Sequence, residues 1–130
     1  MQDILTPVSP GELIDKITIL QIKSERMSDA AKLKNVRTEL ELLQATWRNS
    51  PHAAVDIAAE WSELKRINEQ LWVIEDDIRD KEHAKAFDQR FIELARAVYV
   101  TNDQRAAVKK QINTKLGSRL VEEKSYKEWK

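Results

Sequence analysis

Apolar side chains recur along this chain at steps of three and four residues, the spacing that gathers them on one face of a helix. Before the first such run, residues 1–8 hold Pro7 and β-branched side chains and read as an extended lead-in. The stretch S-P-G-E then predicts a helix start. Ser9 is the N-cap, Pro10 takes the first helical position, and Glu12 completes a capping box. Leu13, Ile17, Leu20 and Met27 share a face that Ile14 widens, with an end expected near Arg26 and the next cap at Ser28-Asp29. The second helix carries Leu33, Val36, Leu40, Leu43 and Trp47, and Asn49-Ser50-Pro51 breaks it.

Ser50-Pro51 repeats the cap-plus-proline signal, so a third helix is expected from there to about Asp80. Its seam is Ile57, Trp61, Leu64, Ile67, Leu71, Ile74 and Ile78, over roughly 30 residues and ~45 Å. A fourth pattern starts near Phe87. It either runs unbroken to Leu116 or is interrupted at Thr101, where T-N-D-Q forms a second capping box after Val98-Tyr99-Val100. We expect one long helix, locally irregular there, because a partner as long as the third helix buries both seams. Gly117 caps it. Leu120, Val121, Tyr126 and Trp129 make the tail, 118–130, apolar enough to pack on the bundle or on a partner chain.

These elements predict an all-α fold and a single domain over 1–130. It is a four-helix bundle in which the third and fourth helices form a long antiparallel hairpin and two shorter helices pack across it. Composition agrees, since 34% charged and 42% apolar residues with two glycines suit long helices rather than sheets. The formal net charge of zero argues against a nucleic-acid polymer as partner. No run approaches the ~20 apolar residues that span a bilayer, so no membrane role is expected. Nothing at the N-terminus resembles an export signal, and no cysteine is present to form a disulfide or thiolate site. A cytoplasmic protein is the expectation. Charge is nevertheless uneven. Residues 54–82 hold nine acids and four bases, a balance of −5, whereas 105–130 hold eight bases and three acids, a balance of +5. The two segments are expected to pair across the hairpin.

Several blocks together carry a resemblance. They are P-V-S-P-G-E-L-I-D-K-I-T-I-L near the start, L-W-V-I-E-D-D-I-R centrally, and V-Y-x-x-N-D-x-R-A-x-x-K-x-x-I-N followed by E-E-K-S-Y towards the end. In this order they resemble a family of short bacterial helical proteins of unknown function. The resemblance covers nearly the whole chain and implies no activity.

The candidate chemistry lies where polarity interrupts the fourth helix. Counting from Phe91 at helical spacing gives Ala95, Val98, Asn102, Arg105, Lys109, Ile112 and Leu116, so an amide and two cations occupy an otherwise apolar line. Charges placed there require acids from a facing helix, or water and an anionic ligand. The third helix offers Asn68, Trp72, Glu75 and Arg79 at matching spacing, and the first adds Glu12, Lys16 and Lys23.

Two readings follow. In one, Glu75 or Asp76 pairs with Arg105 or Lys109 as a structural network that fixes helix register, in a protein whose work is protein–protein interaction. In the other, Lys16, Arg105 and Lys109 hold a phosphate or carboxylate between helices while Trp72 or Tyr99 stacks on a ring. That reading describes a non-enzymatic binding protein for a small anionic molecule of the nucleotide or sugar phosphate class. Its site would be Lys16, Asn68, Trp72, Glu75, Arg79, Tyr99, Asn102, Arg105 and Lys109.

A Mg²⁺-dependent nucleotide pyrophosphohydrolase is a further alternative, with Glu75-Asp76-Asp77 as the acidic cluster. The E-E-x-x-E and E-x-x-D pattern of such enzymes has no clean match, because Glu39 and Glu41 point to different faces. His52 and His83 lack partners at ligand spacing. No catalytic residue, metal site or cofactor is therefore assigned. Four tryptophans and long apolar seams lead us to expect a homodimer.

Overall fold

The computed structural model describes residues 2–130 and contains four α-helices and one short 3-10 turn. Helix α1 spans Pro10–Arg26, α2 Ala30–Arg48, α3 Ala58–His83 and α4 Gln89–Lys115. The 3-10 turn occupies Pro51–Ala54. The fold is the expected all-α bundle, and α3 and α4 pair along their lengths as an antiparallel hairpin.

Local chemistry explains where most helices begin. The Ser9 hydroxyl accepts from the Glu12 amide at 3.2 Å with Pro10 in the first turn. Asp29 caps α2 through the Lys32 amide at 2.9 Å, and Asp88 caps α4 through Phe91 at 3.0 Å. Each cap satisfies an amide that the helix itself cannot.

The third start is a correction. Ser50 donates its hydroxyl to the Trp47 carbonyl at 2.8 Å instead of accepting from an amide ahead of it, and Pro51 opens only the 3-10 turn. No glutamate or glutamine stands three residues on to complete a box, so α3 begins at Ala58, where Asp56 accepts from the Ala58 amide at 3.0 Å. It has 26 residues rather than roughly 30, hence about 39 Å.

Helix α4 passes through Val98-Tyr99-Val100 and Thr101 without a break. The helix reluctance of those residues amounts to a few tenths of a kcal/mol each, which packing of Leu94, Thr101 and Val108 outweighs. Both hairpin helices end in the same hydrogen-bond pattern. After α4, Gly117 adopts φ 65°, and the amides of Gly117 and Ser118 reach back to Thr114 at 3.2 Å and Asn113 at 2.9 Å. After α3 the equivalent left-handed position is Lys85, at φ 55°.

The two shorter helices are placed unequally on the hairpin. Helix α1 alone packs on both α3 and α4. Helix α2 packs on α1 and reaches the hairpin at one end, where the Trp47 and Trp61 rings meet edge to face at 5.8 Å. The core accordingly centres on α1, with Ile14 and Ile17 against Ile57, Leu64, Ile67, Val108, Ile112 and Leu116. Because α1 has neighbours on three sides, it buries Asp15 and Thr18 along with its apolar residues.

Surface charge pairs more locally than the balance of the two segments implied. Among the described residues only Lys115 with Glu60, at 2.9 Å, joins 54–82 to 105–130. Other acids and bases pair within α3, as Arg79 with Glu75 at 3.1 Å, or between α1 and α3, as Lys65 with Glu25 at 2.8 Å. The tail, without helix or strand, runs back over the outer surface of α4.

Candidate functional site

The side chain that organises the interior is Asp15, 1% exposed, on α1. Its Oδ1 accepts from Asn68 Nδ2 at 3.0 Å and from Arg105 Nε at 2.9 Å, while Oδ2 accepts from Arg105 Nη2. The Arg105–Asp15 contact is thus bidentate, the geometry in which a guanidinium binds a carboxylate best. Thr18 donates its hydroxyl to the Asp15 carbonyl at 2.8 Å and accepts from Asn68 at 3.0 Å, so α1, α3 and α4 meet in one satisfied cluster. The hydrogen bonds that Arg105 donates to Asp15, with the negative charge of that carboxylate, raise the Arg105 pKa and keep the guanidinium charged.

Lys109 lies one turn further along α4. Its ammonium is 2.8 Å from Glu12, 2.9 Å from Glu122 and 3.8 Å from Asp15. Burial disfavours its charge, but the hydrogen bonds to Glu12 and Glu122 and the field of Asp15 outweigh that, and its pKa is raised. The α1–α4 crossing is tight beside it. The Gly11 amide donates to Asn113 Oδ1 at 2.7 Å, and a Cβ on Gly11 would stand 2.6 Å from the Lys109 carbonyl oxygen. Gly11 therefore does more than serve a helix start: it lets two backbones approach.

The polar line of α4 thus acquires a physical account. Helix α4 has two contact faces, one of Leu94, Thr101 and Val108 and one turned to α1 that holds Arg105, Lys109, Ile112 and Asn113. Asn102, Arg105 and Lys109 sit on the second, so they do not interrupt the hairpin seam. The network reading had the correct cations and the wrong acids. Glu75 bonds to Arg79, and the partners of Arg105 and Lys109 are Asp15, Glu12 and Glu122.

Beside this cluster α1, α3 and α4 open a cleft of about 400 Å³. Asn68, Trp72, Glu75, Arg79, Asn102 and Arg105 line it, with Ile19, Ile22, Lys23, Leu71 and Asp76. Six of the nine expected site residues therefore share one cavity. Arg105 Nη1 lies 3.4 Å from Asn102 Oδ1 at its wall, and Lys23 has no ion-pair partner among the described residues.

The other three lie elsewhere. Lys16 is exposed on the flank of α1 that faces α2, where it bonds Glu39 at 3.4 Å. Lys16 stands about 10 Å along the helix axis from Lys23 and about 100° around the helix from Asp15, the residue that faces Arg105, which leaves it outside the cleft. Tyr99 points outward, its ring 6.2 Å from Trp129 of the tail. Lys109 lines a neighbouring hollow together with Arg105, Asn102 and Lys124.

Asp15 and Glu122 were not anticipated. The available signal for Asp15 was its place between Ile14 and Ile17, inside the apolar arc of the first helix. The acidic run spreads out: Glu75 faces Arg79, Asp76 borders the cleft, and no group of three or more acids or histidines is arranged to hold a metal among the described residues. His52 falls in the 3-10 turn and His83 ends α3.

Fold and site together define a class, an all-helical bundle whose three inner helices are tied through one buried aspartate beside an open polar cleft. The chain belongs to a family of unknown function, DUF6165, whose model matches residues 4–129. No curated protein and no solved structure matches it.

Proposed function

We propose that the protein binds a small anionic molecule in the cleft between α1, α3 and α4 and does not transform it. The observation that carries this reading is the placement of Arg105. Asp15 holds the guanidinium by Nε and Nη2, which orients the group at the cleft wall. A cation fixed in advance loses little freedom when an anion arrives, so more of the contact appears as affinity. Lys23 supplies a second cation, unpaired among the described residues, Asn68 and Asn102 supply amides, and Trp72 offers an aromatic face. A volume of about 400 Å³ suits a ligand of nucleotide or sugar phosphate size. Glu75 and Asp76 on the same rim keep the positive excess small, which favours a ligand that pairs an anionic group with an uncharged ring.

Thermal-shift titration with nucleotides and sugar phosphates tests the proposal, because a ligand that binds only the folded state raises the melting temperature with its concentration. Trp72→Leu and Lys23→Gln are expected to fold and to lose most of that shift, since neither residue belongs to the Asp15 cluster. A screen in which no phosphorylated or carboxylated compound shifts the wild type rejects it.

The proposal extends to assembly and place. The distal half of the hairpin runs past the end of α1 and leaves Val73, Phe87, Ile92 and Tyr99 about half-exposed. Surfaces of this kind are usually covered, and a homodimer through the hairpin is the simplest cover. Among the described residues no helix is long and apolar enough to cross a membrane. The cysteine-free composition suits a cytoplasmic setting.

A further inference from the structure

The second cation of α4 has a feature that packing alone does not require. Lys109 is surrounded by three carboxylates, and they come from elements of very different firmness. Asp15 and Glu12 stand on α1, in the body of the bundle. Glu122 stands on the tail, which has no regular structure, and every residue from 121 to 130 is exposed. Beyond Glu122 the tail is held by Lys124 to Asp103 at 3.4 Å and by Trp129, whose indole donates to Asp103 at 2.7 Å beside Tyr99. These partners are about a third to a half exposed, and contacts at such a solvated surface hold a segment weakly.

Beneath the tail lies a hollow of about 510 Å³ lined by Asn102, Arg105, Lys109 and Lys124 with Glu12 and Glu122. It shares Asn102 and Arg105 with the Trp72 cleft, so the same guanidinium borders both openings. A ligand whose first anionic group reached Arg105 from the cleft would have Lys109 one helical turn away. The position it would find occupied is that of the Glu122 carboxylate, 2.9 Å from the ammonium.

We infer that Glu122 is a tethered stand-in for a second anionic group of the ligand. The site takes a compound with two neighbouring anionic groups, of the diphosphate class, and the second group displaces Glu122 from Lys109 and frees the tail. A terminal phosphate carries between one and two negative charges near neutral pH, so it replaces the charge of the Glu122 carboxylate and adds up to about one more, which Lys124, a third cation at the same hollow, offsets. The inference rests on the cleft reading, and it adds the ligand's double charge and the competing tail.

The experiment is calorimetric titration of pyrophosphate and ADP into the full chain as wild type, Glu122→Ala and Glu123→Ala. Trypsin cleavage after Lys124 and Lys127 is followed in parallel, with and without ADP. If the tail fills the site nine-tenths of the time, removing its carboxylate tightens binding about tenfold. The expected result is that gain for both probes in Glu122→Ala, none in Glu123→Ala, and faster tail cleavage of the wild type when ADP is present. Glu122 lies on the exposed tail, so the variant keeps the fold, which circular dichroism checks. Equal or weaker binding by Glu122→Ala, or cleavage that ADP does not accelerate, overturns the inference. If the wild type still binds ADP and Trp72→Leu weakens it, the cleft reading survives that failure. No binding of either probe to wild type or Glu122→Ala rejects the diphosphate inference, and the wider thermal-shift screen then decides the cleft reading separately.

Discussion

At the scale of single residues, Asp15 and Arg105 are joined by a bidentate contact across α1 and α4, and their exposures are unequal. Asp15 is sealed, whereas the Arg105 side chain is 29% exposed and keeps some contact with water. Loss of Arg105 therefore leaves the costlier orphan. Arg105→Met strands a buried carboxylate with only Asn68 and a distant Lys109 to compensate, and a cost of about 3 kcal/mol is expected from urea denaturation. Arg105→Met alone thus cannot separate structure from binding, which is why the cleft variants avoid it.

Gly11 gives a second expectation. Its missing Cβ is where the Lys109 carbonyl oxygen, a backbone atom, comes within 2.6 Å. Gly11→Ala must push α1 from α4 and should cost roughly 1–3 kcal/mol, read in the same denaturation experiment. Alanine's better helix propensity is worth about 1 kcal/mol and offsets part of this at most. Neither residue was legible as a structural centre. Asp15 reads as a polar position on a one-faced helix, and only the packing of three neighbours around α1 turns the Asp15 side of that helix inward as well.

At the scale of elements, sequence signals worked where one local bond decides. Ser9, Asp29 and Gly117 act where their chemistry places them. Ser50-Pro51 failed because a cap needs a free amide ahead of it, and the chain turned into a 3-10 segment first. The third helix was expected to end near Asp80 and ends at His83, but the turn that stops it was not foreseen, since Lys85 carries no glycine-like signature and still adopts φ 55°. A residue with a Cβ pays roughly 1 kcal/mol for that conformation. Lys85→Gly is thus expected to stabilise the protein by up to about 1 kcal/mol and to raise its melting temperature by a few degrees. Its ion pair with Glu82, at 3.5 Å between exposed groups, is too weak to cancel the gain. A melting temperature that falls would mean the lysine side chain is needed at the turn.

At the scale of the whole molecule, periodicity predicted four helices and their hairpin but not that α1 would lie between α2 and the hairpin. Seams state that a face is buried without naming what buries it. Six site residues gathered in one cleft because they share facing stripes of α3 and α4, while Lys16 and Tyr99 depended on rotations that sequence spacing does not determine. The exposed distal hairpin carries its own test. Light scattering is expected to give a mass twice the 15.1 kDa of one chain, and a value of 15.1 kDa at all concentrations contradicts the homodimer.

The central claim is that Asp15 fixes Arg105 so that its guanidinium can receive an anion, and nuclear magnetic resonance reads that group directly. Bonded to a buried carboxylate, the Arg105 Nε–H should give a resolved signal, identified by its disappearance in Arg105→Lys. The account predicts that this signal shifts as ADP or a sugar phosphate is added, along the same saturation curve as the Trp72 indole. A ligand that saturates the protein and leaves both signals unmoved, or a complete set of such compounds that moves neither, would contradict it.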